Sequence, residues 1–194
     1  MGGLSRRFVK MNELRDSGVD PLIIDAGDLF FSTANLNSKN KKSELYRAGA
    51  ILEGYNRVGC DAINVGHYEV LNGLSFLKSM EEKTEIPFLS ANLRDSQTNK
   101  LLFEPFRIIE KESLKIGIVG VTDKLPDTTK SMIADNYIEA GNHYIDEVSK
   151  QADIIVIMVN SNRKTYSELP TLFANADIIV TSGSTNMTRE NTAQ

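Results

Sequence analysis

The sequence predicts an α/β protein built on a mainly parallel sheet covered by helices. Three observations carry this. Residues 22–24, 62–65, 86–91, 154–159 and 178–180 are apolar runs of strand length. Segments between them repeat apolar residues every three or four positions, the spacing of a helix with one buried face. Parallel strands need such crossovers, which then cover the sheet. Finally, polar and ligand-capable residues gather just after two of the runs, in Asp25-Ala26-Gly27-Asp28 and Gly66-His67-Tyr68-Glu69. The carboxyl ends of strands are where open α/β sheets place functional groups.

In chain order, Leu4, Phe8, Met11 and Leu14 predict an opening amphipathic helix, and Asp20-Pro21 a turn before the strand at 22–24. Residues 33–42 are polar and read as an exposed loop. Ser43 is placed to cap a helix running to about Val58, with Leu45, Ala48, Leu52 and Tyr55 inward. After the strand at 62–65, Asn72-Gly73 opens a helix with Leu74, Leu77 and Met80 on one side. Residues 101–109 and 114–121 flank Glu110-Lys111-Glu112-Ser113 and predict a hairpin. Residues 123–135 read as irregular, and 139–151 as a helix presenting Tyr144, Ile145 and Val148. The run at 154–159 is a strongly buried strand. A short helix at 167–176 rests on Leu169, Leu172 and Phe173, and the last strand is 178–180. There is no internal repeat.

The 194 residues suit one domain, expected over 1–185 with a polar tail at 186–194. Apolar residues at 41% and charged residues at 25% are ordinary for a globular protein, and a net charge of −4 argues against a nucleic-acid polymer or an anionic membrane as partner. The one cysteine, Cys60, excludes an internal disulfide and a cysteine-rich zinc site, and reads as a small core residue. No apolar run approaches the ~18 residues of a membrane span. The first residues lack the apolar core of a signal peptide, and both termini read as cut from a longer protein.

Asp25 and Asp28, with Gly27 allowing close approach, suit a hard divalent cation; the alternative for Asp28 is a cap or turn aspartate. His67 is one of two histidines and is either a metal ligand or bonded to backbone. His143 has no helical partner and reads as solvent-facing. Gly117 and Gly120 share one apolar run and lack the strand-turn-helix setting of a dinucleotide site. Residues 182–185 could cradle an anion on backbone amides.

The stretch Asp61-Ala62-Ile63-Asn64-Val65-Gly66-His67-Tyr68-Glu69-Val70-Leu71-Asn72-Gly73-Leu74 resembles the Asp-Ala-x-x-x-Gly-Asn-His-Glu-Phe-Asp-x-Gly-Leu block of the calcineurin-like metallophosphoesterases, in their 5′-nucleotidase branch. In that alignment His67 stands at the family's asparagine metal ligand and Tyr68 at its catalytic histidine. Asp25-Ala26-Gly27-Asp28 resembles Asp-Ala-Gly-Asp-Leu-Phe, whose second aspartate bridges two metals; that position is Asp28. Gly2-Gly3-Leu4-Ser5-Arg6-Arg7 resembles a Gly-Gly-hydrophobic-x-Arg segment. Residues 152–162 resemble a strand ending in Ser-His-hydrophobic-Gly, with Asn160 at the histidine. Residues 177–185 resemble a strand ending in Gly-Gly-His-x-His, with Gly183 and Thr185 at the histidines. Residues 87–93 and 115–122 match structural segments. The Gly-His-aromatic-Glu block is also similar to that of the thiosulfohydrolases of sulfur oxidation.

The resemblance covers residues 2–185 and implies a metallophosphatase-like sandwich, two mainly parallel or mixed sheets flanked by helices. The family's opening Asp-x-His block would precede Gly2, and its nucleotide-binding domain would follow the chain. The resemblance implies a candidate divalent-metal site (Mn, Zn or Mg) at Asp28, His67 and Asn160, weak or lost. Tyr68 cannot supply an imidazolium at neutral pH. The expected function is a degraded or incomplete metallophosphoesterase-like domain, a pseudoenzyme serving as a binding or structural module in a longer periplasmic or secreted protein. The alternative is an active metal-dependent phosphoester hydrolase with a rebuilt site. No substrate or partner is specified.

Overall fold

A computed structural model describes residues 3–183 except 128. The chain opens with helix α1 (Leu4–Asp16) and passes to strand β1 (Ile24–Asp25). Helix α2 (Lys41–Val58), β2 (Ala62–Asn64), α3 (Leu74–Glu81) and β3 (Phe88–Leu89) follow. β1, β2 and β3 pair in parallel in that order, as crossover helices require. The second half holds β4 (Leu93–Asp95), the hairpin β5 (Phe106–Lys111) and β6 (Leu114–Thr122), and β7 (Met132–Ala134). Then come α4 (Tyr137–Val148), β8 (Ile154–Asn160), a 3-10 turn at Arg163–Thr165, α5 (Leu169–Leu172) and β9 (Ile178–Ser182). Its sheet has the order β5-β6-β8-β9, antiparallel at the hairpin and parallel beyond it.

The two sheets face each other, which makes the sandwich. Ala26, Ala62 and Leu89 from the first pack against Ile116, Ile118, Val156 and Met158 from the second. α2 and α3 cover the outer face of the first sheet through Ala48, Leu52, Tyr55, Leu77 and Met80. α4 and α5 cover the second through Ile145, Val148, Leu169 and Phe173. Gly120 allows the sheets to approach, since a Cβ there would lie 2.5 Å from Asn64 Oδ1 and 3.1 Å from Leu89 O.

Several elements differ from the sequence expectation, each for a local reason. α2 starts at Lys41 with Asn40 as N-cap, and Ser43 lies in its first turn with its hydroxyl on Asn40 O. α4 starts at Tyr137 because the Asn136 side chain accepts the N–H groups of Ile138 and Glu139, and it ends at Val148. The stretch 123–135 is not wholly irregular: β7 pairs antiparallel with β4. α1 forms but buries no residue fully, with Phe8 39% and Val9 54% exposed. The strand expected at 22–24 forms at Ile24–Asp25, and the one expected at 178–180 starts at Ile178 and runs on to Ser182; both are sheet edges rather than buried interior, with Ile178 50% exposed. Cys60 is buried and its thiol points at Ala62 O. The predicted tail 186–194 lies outside the described residues.

Candidate functional site

The parallel register brings the carboxyl ends of β1, β2, β8 and β9 together. The loop after β1 carries Asp28, and the loop after β2 carries His67 and Tyr68. β8 ends at Asn160 and β9 at Ser182. Two glycines permit this. A Cβ on Gly27 would fall 2.9 Å from the Gly66 backbone, and one on Gly66 would fall 2.5 Å from Asn160 Nδ2. Gly27 also has a φ of 99°, in the region that favours glycine.

Asp28 itself sits at φ 61°. That conformation costs a non-glycine residue about 1–2 kcal/mol, least for Asp and Asn. It is held from both sides: the Asp28 N–H donates to Glu69 Oε2 at 2.8 Å, and Asp28 Oδ1 accepts the Tyr68 N–H at 2.9 Å. Burial pushes the Asp28 carboxyl above the usual carboxylate range, while the Tyr68 N–H, the Asn160 amide and nearby His67 pull it back.

Glu69 is the residue that sequence reasoning missed. Its carboxylate is fully buried and accepts four backbone N–H groups: Asp28, Leu29 at 2.6 Å, Phe30 at 3.2 Å and Gly66 at 2.9 Å. Burial pushes it up to about 7, the Asp28 charge adds to this, and the N–H donors oppose both. One side chain thus fixes the 28–30 loop to the loop that carries His67. The available signal was a lone glutamate directly followed by Val70 and Leu71, in a segment otherwise fit for burial.

Asn160 is 2% exposed and forms the other junction. Its Oδ1 accepts the His67 N–H at 3.1 Å. Its Nδ2 donates to Ser182 Oγ at 2.8 Å, and Ser182 donates in turn to Ala26 O at 2.7 Å. His67 Nδ1 lies 3.1 Å from Lys124 O. These groups border a cleft of about 230 Å³ lined by Asp28, His67, Tyr68, Asp123, Lys124 and Asn160, among others.

So Asp28, His67 and Asn160 meet at one cleft, and Gly183 lines it too. Tyr68 is buried, 7% exposed, with its ring 6.0 Å from that of His67. Thr185 and the rest of the 182–185 segment beyond Gly183 lie outside the described residues, as does Gly2. His143 is remote, exposed and edge-on to Tyr144.

The donor set of the described residues does not fit a dimetal centre. Among the described residues no group of three or more His, Cys, Asp or Glu side chains is placed to hold an ion. Asn160 turns its amide nitrogen toward Ser182 Oγ and its oxygen toward the His67 N–H. Both polar atoms of the Asn160 side chain are thus taken by protein hydrogen bonds. Glu69 is committed to backbone amides.

No protein-family model matches the chain. Similar sequences include a 5′-nucleotidase from Vibrio cholerae, 33% identical over 132 residues, which are 66% of this chain and 22% of that protein. The chain thus spans about a fifth of that relative's length. Among solved structures, the Thermus thermophilus sulfate thiohydrolase SoxB superposes with a TM-score of 0.76 at 19% identity, covering 93% of this chain and 34% of that one. The calcineurin-like phosphoesterase YfkN from Bacillus subtilis gives 0.71 at 20% identity, covering 92% and 63%. Sequence and fold agree, and the chain belongs to the metallophosphoesterases, as part of a domain of their 5′-nucleotidase branch.

Proposed function

We propose that this domain is a catalytically degraded member of its branch, serving as a binding or structural module of a longer protein. The observation that carries the reading is the state of the ligand positions. Catalysis by two ions needs both held in fixed geometry to clamp the attacking and leaving oxygens. At those positions one carboxylate, the half-buried Asp28, remains beside a single imidazole, and the amide of Asn160 is spent on protein hydrogen bonds. Tyr68 occupies the general-acid position and is packed into the core. Its phenol is a poor substitute for an imidazole, a role typically worth about 10²–10⁴ in rate. A periplasmic or secreted location belongs to the same proposal, by analogy with the branch.

The second reading, an active phosphoester hydrolase with a rebuilt site, draws on the way Asp28 and His67 share one open cleft. A single assay separates the two. Purified protein is given Mn²⁺, Zn²⁺ or Mg²⁺ and tested on 5′-mononucleotides and a chromogenic phosphomonoester. The expected result is no turnover above the metal-only control. Metal-dependent turnover that disappears in Asp28→Asn and in His67→Ala would establish the hydrolase instead.

A further inference from the structure

We infer that hydrogen bonds centred on Asn160 do the cross-linking at the strand ends that ions would otherwise do, so that the cleft is assembled without metal. This rests on the degraded-site reading and adds to it what holds the site together.

Four chain segments converge here with no covalent link between them. In such a place bound cations neutralise carboxylates and tie the segments to one another. This chain supplies another tie. From Asn160 the links run outward to three other segments: to the β2 loop through the His67 N–H at 3.1 Å, to β9 through Ser182 Oγ at 2.8 Å, and from Ser182 on to the β1 loop through Ala26 O at 2.7 Å. The Asn160 amide also favours the charged form of the nearby Asp28 carboxyl. The backbone of β8 takes part as well, since Asn160 O accepts the Asp123 N–H at 2.9 Å.

The space is fitted to an amide. A Cβ on Gly66 would lie 2.9 Å from Asn160 Cγ, and a Cβ on Gly183 would lie 3.2 Å from the same atom. Asn160 therefore fills the gap between two glycines, where a planar side chain passes and a bulkier one does not. Asn160 Oδ1, Asn160 Nδ2 and Ser182 Oγ each have a partner in these links. A buried amide with all its hydrogen bonds made is stabilising and specific, whereas one with partners removed leaves several groups unsatisfied. The cross-link is neutral, so it needs no counter-ion, and Asp28 and His67 still line the cleft.

The test is thermal unfolding of the full 194-residue chain in EDTA and in excess Mn²⁺, Zn²⁺ or Mg²⁺, together with amide hydrogen exchange at His67. Wild type should melt at the same temperature in EDTA as in each metal. Asn160→Ala should lower the midpoint by about 4–8 °C, two lost hydrogen bonds at a few degrees each. It should also speed His67 exchange at least roughly tenfold, because that N–H loses its acceptor. If Asn160→Ala does not fold, Ser182→Ala removes one link only, and should lower the midpoint by about 2–4 °C without affecting His67 exchange. An unchanged midpoint with unchanged His67 exchange in Asn160→Ala would overturn the inference while leaving the degraded-site reading intact. A metal-induced rise of several degrees that disappears in Asp28→Asn would also overturn it. Failure of the degraded-site reading shows separately, as metal-dependent turnover by wild type.

Discussion

Gly27→Ala tests the packing at the site most sharply. The new Cβ would sit 2.9 Å from both Cα and N of Gly66 and 3.0 Å from Asn64 O, all backbone atoms that cannot swing aside. It would also hold alanine at a φ of 99°. The backbone conformation costs about 1–2 kcal/mol and the overpacking about 1–3 kcal/mol, so the expected loss is about 2–5 kcal/mol. For a chain of this size each kcal/mol lowers the midpoint by about 2–4 °C, so the drop should be at least ~4 °C and up to ~20 °C. Gly49→Ala is the matched control. It lies in α2 with nothing within 4 Å of its Cβ, so alanine there should raise stability by about 0.5–1 kcal/mol. Calorimetry or circular-dichroism melts of the two variants beside wild type give the comparison. A Gly27→Ala midpoint equal to wild type would refute the close backbone contact between the Asp28 and His67 loops, and with it the geometry of the cleft.

Two further outcomes follow from the same coordinates. A Cβ on Gly117 would run into the Val148 side chain, so Gly117→Ala should destabilise the α4–β6 contact by about 1–3 kcal/mol. Val148→Ala in the same chain should recover part of that loss, which a double-mutant cycle on melting data would detect. Burial pushes the Cys60 thiol up to about 12, so at pH 8 it stays protonated and should react with a thiol reagent only after denaturant is added. Rapid labelling of the native protein at pH 8 would place Cys60 outside the core.

Strands such as β8 were legible because the six-residue apolar run Ile154–Val159, buried between two sheet neighbours, can be read from the sequence alone. β4 and β7 were not, since Leu93-Arg94-Asp95 and Met132-Ile133-Ala134 are three residues each and owe their pairing to each other across the chain. The cap of α4 was open to reading, because Asn136 precedes Glu139 by three residues, but the polar stretch before it hid the start. At the site, the family resemblance implied that Asp28, His67 and Asn160 are neighbours in space, and all three line one cleft. It could not show which way an amide points. The orientation of Asn160, with its nitrogen on Ser182 Oγ and its oxygen on the His67 N–H, is a tertiary fact that the resemblance does not carry. Glu69 was hidden for a related reason: a carboxylate that accepts four backbone amides looks, in sequence, like any other acidic residue.

The central claim is that this domain keeps the family's fold without its ions. Metal content measures it most directly. The full chain is dialysed against Mn²⁺ or Zn²⁺, freed of excess ion, and assayed by elemental analysis beside Asp28→Asn. A chain built as described retains well below one ion per molecule, and the variant matches it. Two ions per molecule in wild type, lost in Asp28→Asn, would contradict the account.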